Sequence, residues 1–170
     1  ETVVAKPLHL FAPVRATIWR RRGGTGDAAA GQNPPYGAQL TYYLKEPPKG
    51  ELKLEIVDAR GLVIRTMSSV AKPKDGISEY EEDPRPELET GAGLQRVAWD
   101  FGLEGAKRIK NGKVDTGDPA AQATALPGTY TARLSADGVT ETVSIVVRGD
   151  PRVRVSEADR AAQLAFGLEL

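Results

Sequence analysis

Cysteine is absent from this chain of 170 residues, which excludes a disulfide framework and any thiolate metal site. The same absence suits many exported bacterial proteins. Histidine occurs once, as His9, in a stretch flanked by Pro7 and Pro13. A Ser/His/Asp triad would have to use it, and histidine-based zinc sites need more than one. Charge of neither sign is in surplus, since 23 Lys and Arg balance 23 Asp and Glu. General binders of nucleic acid or of anionic membranes need a basic excess, so no nucleic acid is expected as a partner. No apolar run approaches the roughly 20 residues needed to span a bilayer, so no membrane span is expected. A signal peptide is also missing, and the chain opens on Glu1 rather than Met. It reads as a mature product or an excised piece of a longer protein. Asp and Glu are abundant but lie mainly in loop-like stretches, where no pair can be placed across a cleft as glycoside hydrolysis requires. No catalytic residue, cofactor or metal ligand is therefore assigned, and a non-enzymatic role is expected.

What is present is strand pattern. From Asn33 to Met67 three strand-like segments are separated by two turn signals. Ala38, Leu40, Tyr42 and Leu44 alternate with polar residues and Tyr43, so the first set faces a core. Asn33-Pro34-Pro35 cannot enter a central strand. Pro47, Pro48 and Gly50 form a turn. Leu52, Leu54 and Ile56 give the second half-buried strand, and Asp58-Ala59-Arg60-Gly61 a tight hairpin. Leu62 to Met67 returns with an ambiguous inward set, which fits burial on both faces or a bulge.

Other segments add to this set. Val14 to Arg22 reads as a strand. In Leu94 to Phe101 the residues Gln95, Val97, Trp99 and Phe101 share a face, with Trp99 as core anchor. Tyr130, Ala132 and Leu134 point inward, Asp137-Gly138 marks a two-residue hairpin, and Val143, Ile145 and Val147 return. About seven strands with two hairpins match an immunoglobulin-like sandwich of antiparallel sheets.

Two features suggest ligands and also have simpler readings. Arg20-Arg21-Arg22 is a phosphate-binding patch or, more simply, a solvated strand end. Gly23, Gly24 and Gly26 lack the Lys-Ser/Thr pair of a phosphate loop. The carboxylates of Glu79, Glu81, Glu82, Asp83, Glu87 and Glu89 would bind a cation only if they converged, and Pro84 and Pro86 oppose that. After Asp150-Pro151, Ser156 is an N-cap with Asp159 three residues on, and Ala158, Ala161, Ala162, Leu164, Ala165 and Leu168 form a helical stripe. That stripe is expected to dock, with Arg160, Gln163 and Glu169 outside it.

Asn33-Pro34, Tyr42, Leu44, Leu54-x-Ile56-x-Asp58-x-x-Gly61, Val97-x-Trp99-Asp100 and Pro127-Gly128-Thr129-Tyr130 occur in order. The set resembles the immunoglobulin-like domain of the flagellar hook-capping protein and the sorting domains of type IX secretion. It is more similar to the C-terminal region of bacterial exported proteins with sortilin-like or BNR-repeat propellers, over about residues 10–170. There an Asp-Pro-Arg sequence leads into a helix, as Asp150-Pro151-Arg152 and Ser156 do here. A sorting domain normally ends at its last strand, whereas this chain continues. Propeller repeats with Asp-box turns are absent, so no glycosidase residues carry over.

The resemblance implies an immunoglobulin/fibronectin-III-like antiparallel sandwich with long loops and a short C-terminal helix. The expected division is a lead-in over 1–13, the sandwich over 14–150 and the start of a truncated helix over 151–170. The implied role is a non-catalytic accessory domain that is exported (periplasmic, cell-surface or extracellular). Its implied partner is a propeller domain of the same parent chain. One alternative is a carbohydrate-binding module that stacks sugars on Trp19, Tyr36, Tyr43 and Tyr80. Another is a secretion-related or subunit-contact domain, which would offer an exposed sheet edge to another protein chain.

Overall fold

The computed structural model describes residues 2–19, 35–73, 84–105 and 122–169. Its strands are β1 (Leu8–Leu10), β2 (Ala16–Ile18), β3 (Ala38–Leu44), β4 (Lys53–Val57), β5 (Val63–Ser68), β6 (Gly93–Trp99), β7 (Gly128–Ala136) and β8 (Val139–Gly149). One helix follows, α1 (Glu157–Glu169). The protein is mostly β, with two sheets and a short C-terminal helix. The first sheet has the order β1-β3-β6 and the second β2-β8-β7-β4-β5.

Alternation in the sequence becomes alternation in burial. Ala38, Leu40, Tyr42 and Leu44 of β3 are buried, as are Leu54 and Ile56 of β4 and Ile145 and Val147 of β8. These side chains, with Trp99 and Phe101, join one core cluster fed by both sheets. Trp99 is fully buried, as its place in the period-two pattern of β6 requires.

Turn chemistry fixes the registers. Asp137 (φ 48°) and Gly138 (φ 80°) both take positive φ, the requirement of a two-residue turn whose twist matches its strands. The Asp137 carboxylate also accepts the N–H groups of Lys49 and Gly50 at 2.9 and 3.0 Å, tying the Pro47–Gly50 turn to this hairpin. At the other hairpin the Asp58 carboxylate accepts from Arg60 N and Leu62 N, both at 2.9 Å. The β4–β5 register shifts between Ile56 and Val57, the bulge that the apolar run Leu62-Val63-Ile64 suggested. Beyond it Arg65 and Met67 face inward, while Leu62 and Val63 are exposed.

Several expectations are corrected. β2 pairs with β8 in parallel, Ala16 opposite Val147 and Ile18 opposite Gly149, so the sheets are not purely antiparallel. Among the described residues there are eight strands rather than about seven. The extra one is β1, which lies in the stretch read as a lead-in and pairs with β3. A strand of three residues is too short for a periodic signal, yet Leu8 and Leu10 are buried. In the stretch after β6, Gly102 bridges to Thr124.

The helix begins as the sequence implies. Ser156 Oγ accepts the Asp159 N–H at 3.1 Å and donates to the Asp159 carboxylate at 2.7 Å. Its contact face differs from expectation, because no residue of α1 is buried by the sheets. Only Arg160 and Leu164 are partly covered. Arg160, expected outside the contact, rests its guanidinium over Gly149, where a Cβ would come within 3.2 Å of it. A long guanidinium reaches the sheet end where the short alanines of the stripe do not. Among the described residues no helix is long and apolar enough to cross a membrane.

Candidate functional site

The segments that enter β2 and β3 line a surface groove of about 270 Å³. Val14, Arg15, Thr17 and Trp19 supply one side and Pro35, Gly37 and Gln39 the other. Gly37 sets the entry to β3. Its φ is +124°, and a Cβ there would lie 2.1 Å from the Trp99 carbonyl oxygen. Only glycine allows so close a passage. Gln39 Nε2 donates to the Pro35 carbonyl at 2.9 Å. Thr17 Oγ1 accepts from Arg148 Nε at 2.8 Å, which holds β2 on β8.

Trp19 is the surface end of a chain of rings. It meets Tyr36 edge to face at 5.5 Å, Tyr36 meets Phe101 at 5.3 Å, Phe101 meets Trp99 at 5.6 Å, and Trp99 meets Tyr130 at 5.1 Å. Tyr36 thus sits partly buried against the core. Tyr43 lies seven positions further along, on the outward face of β3 opposite His9 and Leu94. Tyr80 lies outside the described residues. Of the four stacking candidates the fold brings Trp19 and Tyr36 together at near-perpendicular planes, with Tyr43 at the far end of the strand.

A second groove, of about 280 Å³, lies at the opposite end of β3 and is lined by Pro7, Leu44, Lys45, Glu46, Lys49 and Asp137 among others. Its charges are of both signs.

The basic patch at Arg20-Arg21-Arg22 and the glycines after it lie outside the described residues, as do Glu79, Glu81, Glu82 and Asp83. The remaining acidic-loop residues have structural partners. Glu87 pairs with Arg65, and the Glu89 carbonyl accepts the Tyr42 hydroxyl at 2.7 Å. Burial pushes the Tyr42 phenol up to about 12. Among the described residues no group of three or more His, Cys, Asp or Glu is arranged to hold a metal ion.

Two glutamates that the sequence did not single out are better connected. Glu141, on β8, accepts Lys6 Nζ at 2.8 Å and pairs with His9 Nδ1 at 2.9 Å. The Lys6 hydrogen bond leads in holding the Glu141 carboxyl below its ordinary value. Glu104 is exposed; the desolvation it does feel works to raise its pKa, but Lys72 Nζ at 3.1 Å and the Thr66 N–H at 3.2 Å outweigh that and lower it. Nothing in local periodicity marks either residue, because their partners are 32 to 135 positions away.

No protein-family model, no curated protein and no solved structure matches the chain.

Proposed function

We propose that this chain is a non-catalytic accessory or interaction domain, immunoglobulin-like in fold, that serves a propeller domain of the same exported bacterial protein. Two features support the fold reading. Lettered as in immunoglobulin domains, the strand order becomes A-B-E against A′-G-F-C-C′, with the N-terminal segment divided between the sheets. In addition, the Tyr130 hydroxyl, near the start of β7, donates to the Leu126 carbonyl at 2.6 Å, the arrangement of a tyrosine corner.

The observation that carries the role is the state of α1. A helix of 13 residues is marginal alone in water, and this one carries Phe166 and Leu168 at 64% and 62% exposure. Its apolar side chains are therefore available to a surface other than the sheets. The test is titration calorimetry of this chain against the separately produced propeller of its parent protein. Binding that F166S/L168S weakens at least tenfold supports the reading. A parent gene without a propeller, or a propeller that gives no binding heat, overturns it.

The Trp19 groove favours a second reading, a site for one sugar ring rather than an extended platform. Aromatic and amide groups converge there, and Arg15 adds a charged donor. Soluble oligosaccharides should then change the tryptophan fluorescence of the wild type and not of W19F. An unchanged wild-type spectrum across a panel of neutral and acidic sugars would discard this reading.

A further inference from the structure

The outermost strands of the two sheets carry backbone groups that point away from their single neighbour. Such groups are templates for pairing with another chain. On β5 they belong to alternate residues, Ile64, Thr66 and Ser68, and one outward group of each residue has a substitute partner. The Ile64 carbonyl accepts the Glu104 N–H at 2.6 Å, and the Ser68 carbonyl accepts the N–H groups of Glu87 and Leu88 at 2.9 and 3.2 Å. Between them the Thr66 N–H donates to the Glu104 carboxylate at 3.2 Å. On β1, at the edge of the other sheet, the Leu10 N–H likewise meets the Glu141 carboxylate at 3.5 Å.

Each of these glutamates is held in place by basic side chains. Lys72 lies 3.1 Å and Arg65 4.0 Å from Glu104. Lys6 and His9 lie 2.8 and 2.9 Å from Glu141. Arg65 also pairs with Glu87, so one guanidinium fastens both pieces that cover β5. It does so from an inward, buried position opposite Ile56, an expensive place for a charge without such partners.

We propose that Glu104 guards the β5 edge: its carboxylate stands in for a missing neighbouring strand and keeps β5 from pairing with β5 of a second copy of this chain. The strand is self-complementary. Antiparallel pairing centred on Thr66 sets Thr66 opposite Thr66, Ile64 opposite Ser68 and Arg65 opposite Met67. No like charges meet, and threonine pairs across strands are favourable. The three outward positions would exchange their present substitutes for ladder bonds. The pairing would join two second sheets across a twofold axis.

The experiment is sedimentation equilibrium combined with amide hydrogen exchange on the whole chain. Wild type should sediment as a monomer. E104A should shift toward twice that mass, with the Thr66 amide exchanging at least tenfold faster at concentrations where the variant is still monomeric. Adding T66P to E104A should restore the monomer, because the Thr66 N–H points away from β4 and proline there costs no β4 ladder bond. A folded E104A that stays monomeric overturns the proposal, and so does association that T66P leaves intact. If E104A does not fold, E104D decides by the same criteria, since it keeps the charge beside Lys72 and draws the carboxylate back from Thr66.

Discussion

The indole N–H of Trp99 donates to the carbonyl of Gly102 at 2.9 Å, inside the core and only three residues on. The bond closes a bend in which Phe101 takes a φ of 67° while remaining fully buried. A bulky residue rarely adopts that conformation, so its neighbours must impose it. The Phe101 carbonyl in turn accepts the Ala125 N–H at 2.7 Å, and the Phe101 ring packs between Tyr36 and Trp99.

Trp99 is therefore expected to contribute in two separable ways. W99A should lower stability by about 3–5 kcal/mol through lost packing and the cavity left behind. W99F should keep a ring against Phe101 and Tyr130 but strand the Gly102 carbonyl, at a cost of about 1–3 kcal/mol. Urea denaturation followed by circular dichroism should rank wild type above W99F above W99A. Equal midpoints for wild type and W99F would mean that the Gly102 carbonyl finds another donor.

Gly37 and Gly61 both have positive φ but should respond differently to alanine. At Gly61 a Cβ meets nothing within 4 Å, so G61A carries only backbone strain. At Gly37 the strain adds to a collision with the Trp99 carbonyl at 2.1 Å, between backbone atoms that cannot step aside. G61A should cost about 1 kcal/mol or a little more. G37A should cost several times that and leave little folded protein. A thermal melt of G37A close to that of G61A would contradict the close approach of β3 to the end of β6.

Acid should weaken the fold in stages. A carboxyl whose folded pKa lies below its unfolded value contributes fully above the unfolded value. It loses that contribution as pH falls through the folded value. Glu141 and Glu104 are lowered from 4.5, so their share drains below about pH 4.5. Asp150 is lowered from 3.8 to about 2, chiefly by the Arg152 side chain, and its share goes last. Urea midpoints measured from neutral pH downward should be flat, then fall. E104Q and E141Q together should remove the upper part of the fall, and R152A the lower part. A slope at neutral pH that survives all three changes would point to a different titrating group.

Tyr130 offers a test of the chain's approach to β7. Its hydroxyl reaches back to the Leu126 carbonyl at 2.6 Å and ties that corner. Y130F should lose about 1 kcal/mol, more if the carbonyl is left dry. Amide exchange near Leu126 should quicken before exchange in β4 does. Unchanged exchange at the corner would show that ring packing alone holds it.

Much of the fold was legible because its long strands obey simple rules. β3, β4, β7 and β8 alternate cleanly, and Asp137-Gly138 leaves little choice of turn. Trp99 could be placed in the core from the same period. β1 escaped because a strand of three residues carries no period, and its burial depends on β3, more than thirty positions away. The parallel pairing of β2 with β8 was invisible for a similar reason: strand direction is a matter of topology, and no residue encodes it locally. The helix was legible at its start, where the Ser156 cap is a local interaction, and not in its contacts, where Arg160 and not the alanine stripe meets the sheet. The stacking candidates were named for residue type alone. Whether Trp19, Tyr36 and Tyr43 share a surface depends on strand direction and length. Glu104 and Glu141 went unnoticed because a lone glutamate in a polar stretch looks solvated until its distant partners are in place.

The parallel pairing of β2 with β8 also has a mechanical meaning. Tension on the two ends of the chain pulls β2 back toward its N-terminus and β8 forward toward its C-terminus. Because the two strands run the same way, they are drawn past one another along their length. The ladder from Ala16–Val147 to Ile18–Gly149 is then loaded in shear, all its bonds together, and cannot open one pair at a time like a zipper. Once β1 has come away from β3, this short ladder and the Arg148–Thr17 bond beside it form the clamp that sets the rupture force. A domain joined to others at both ends would carry load through that seam while its remaining strands stay unstressed.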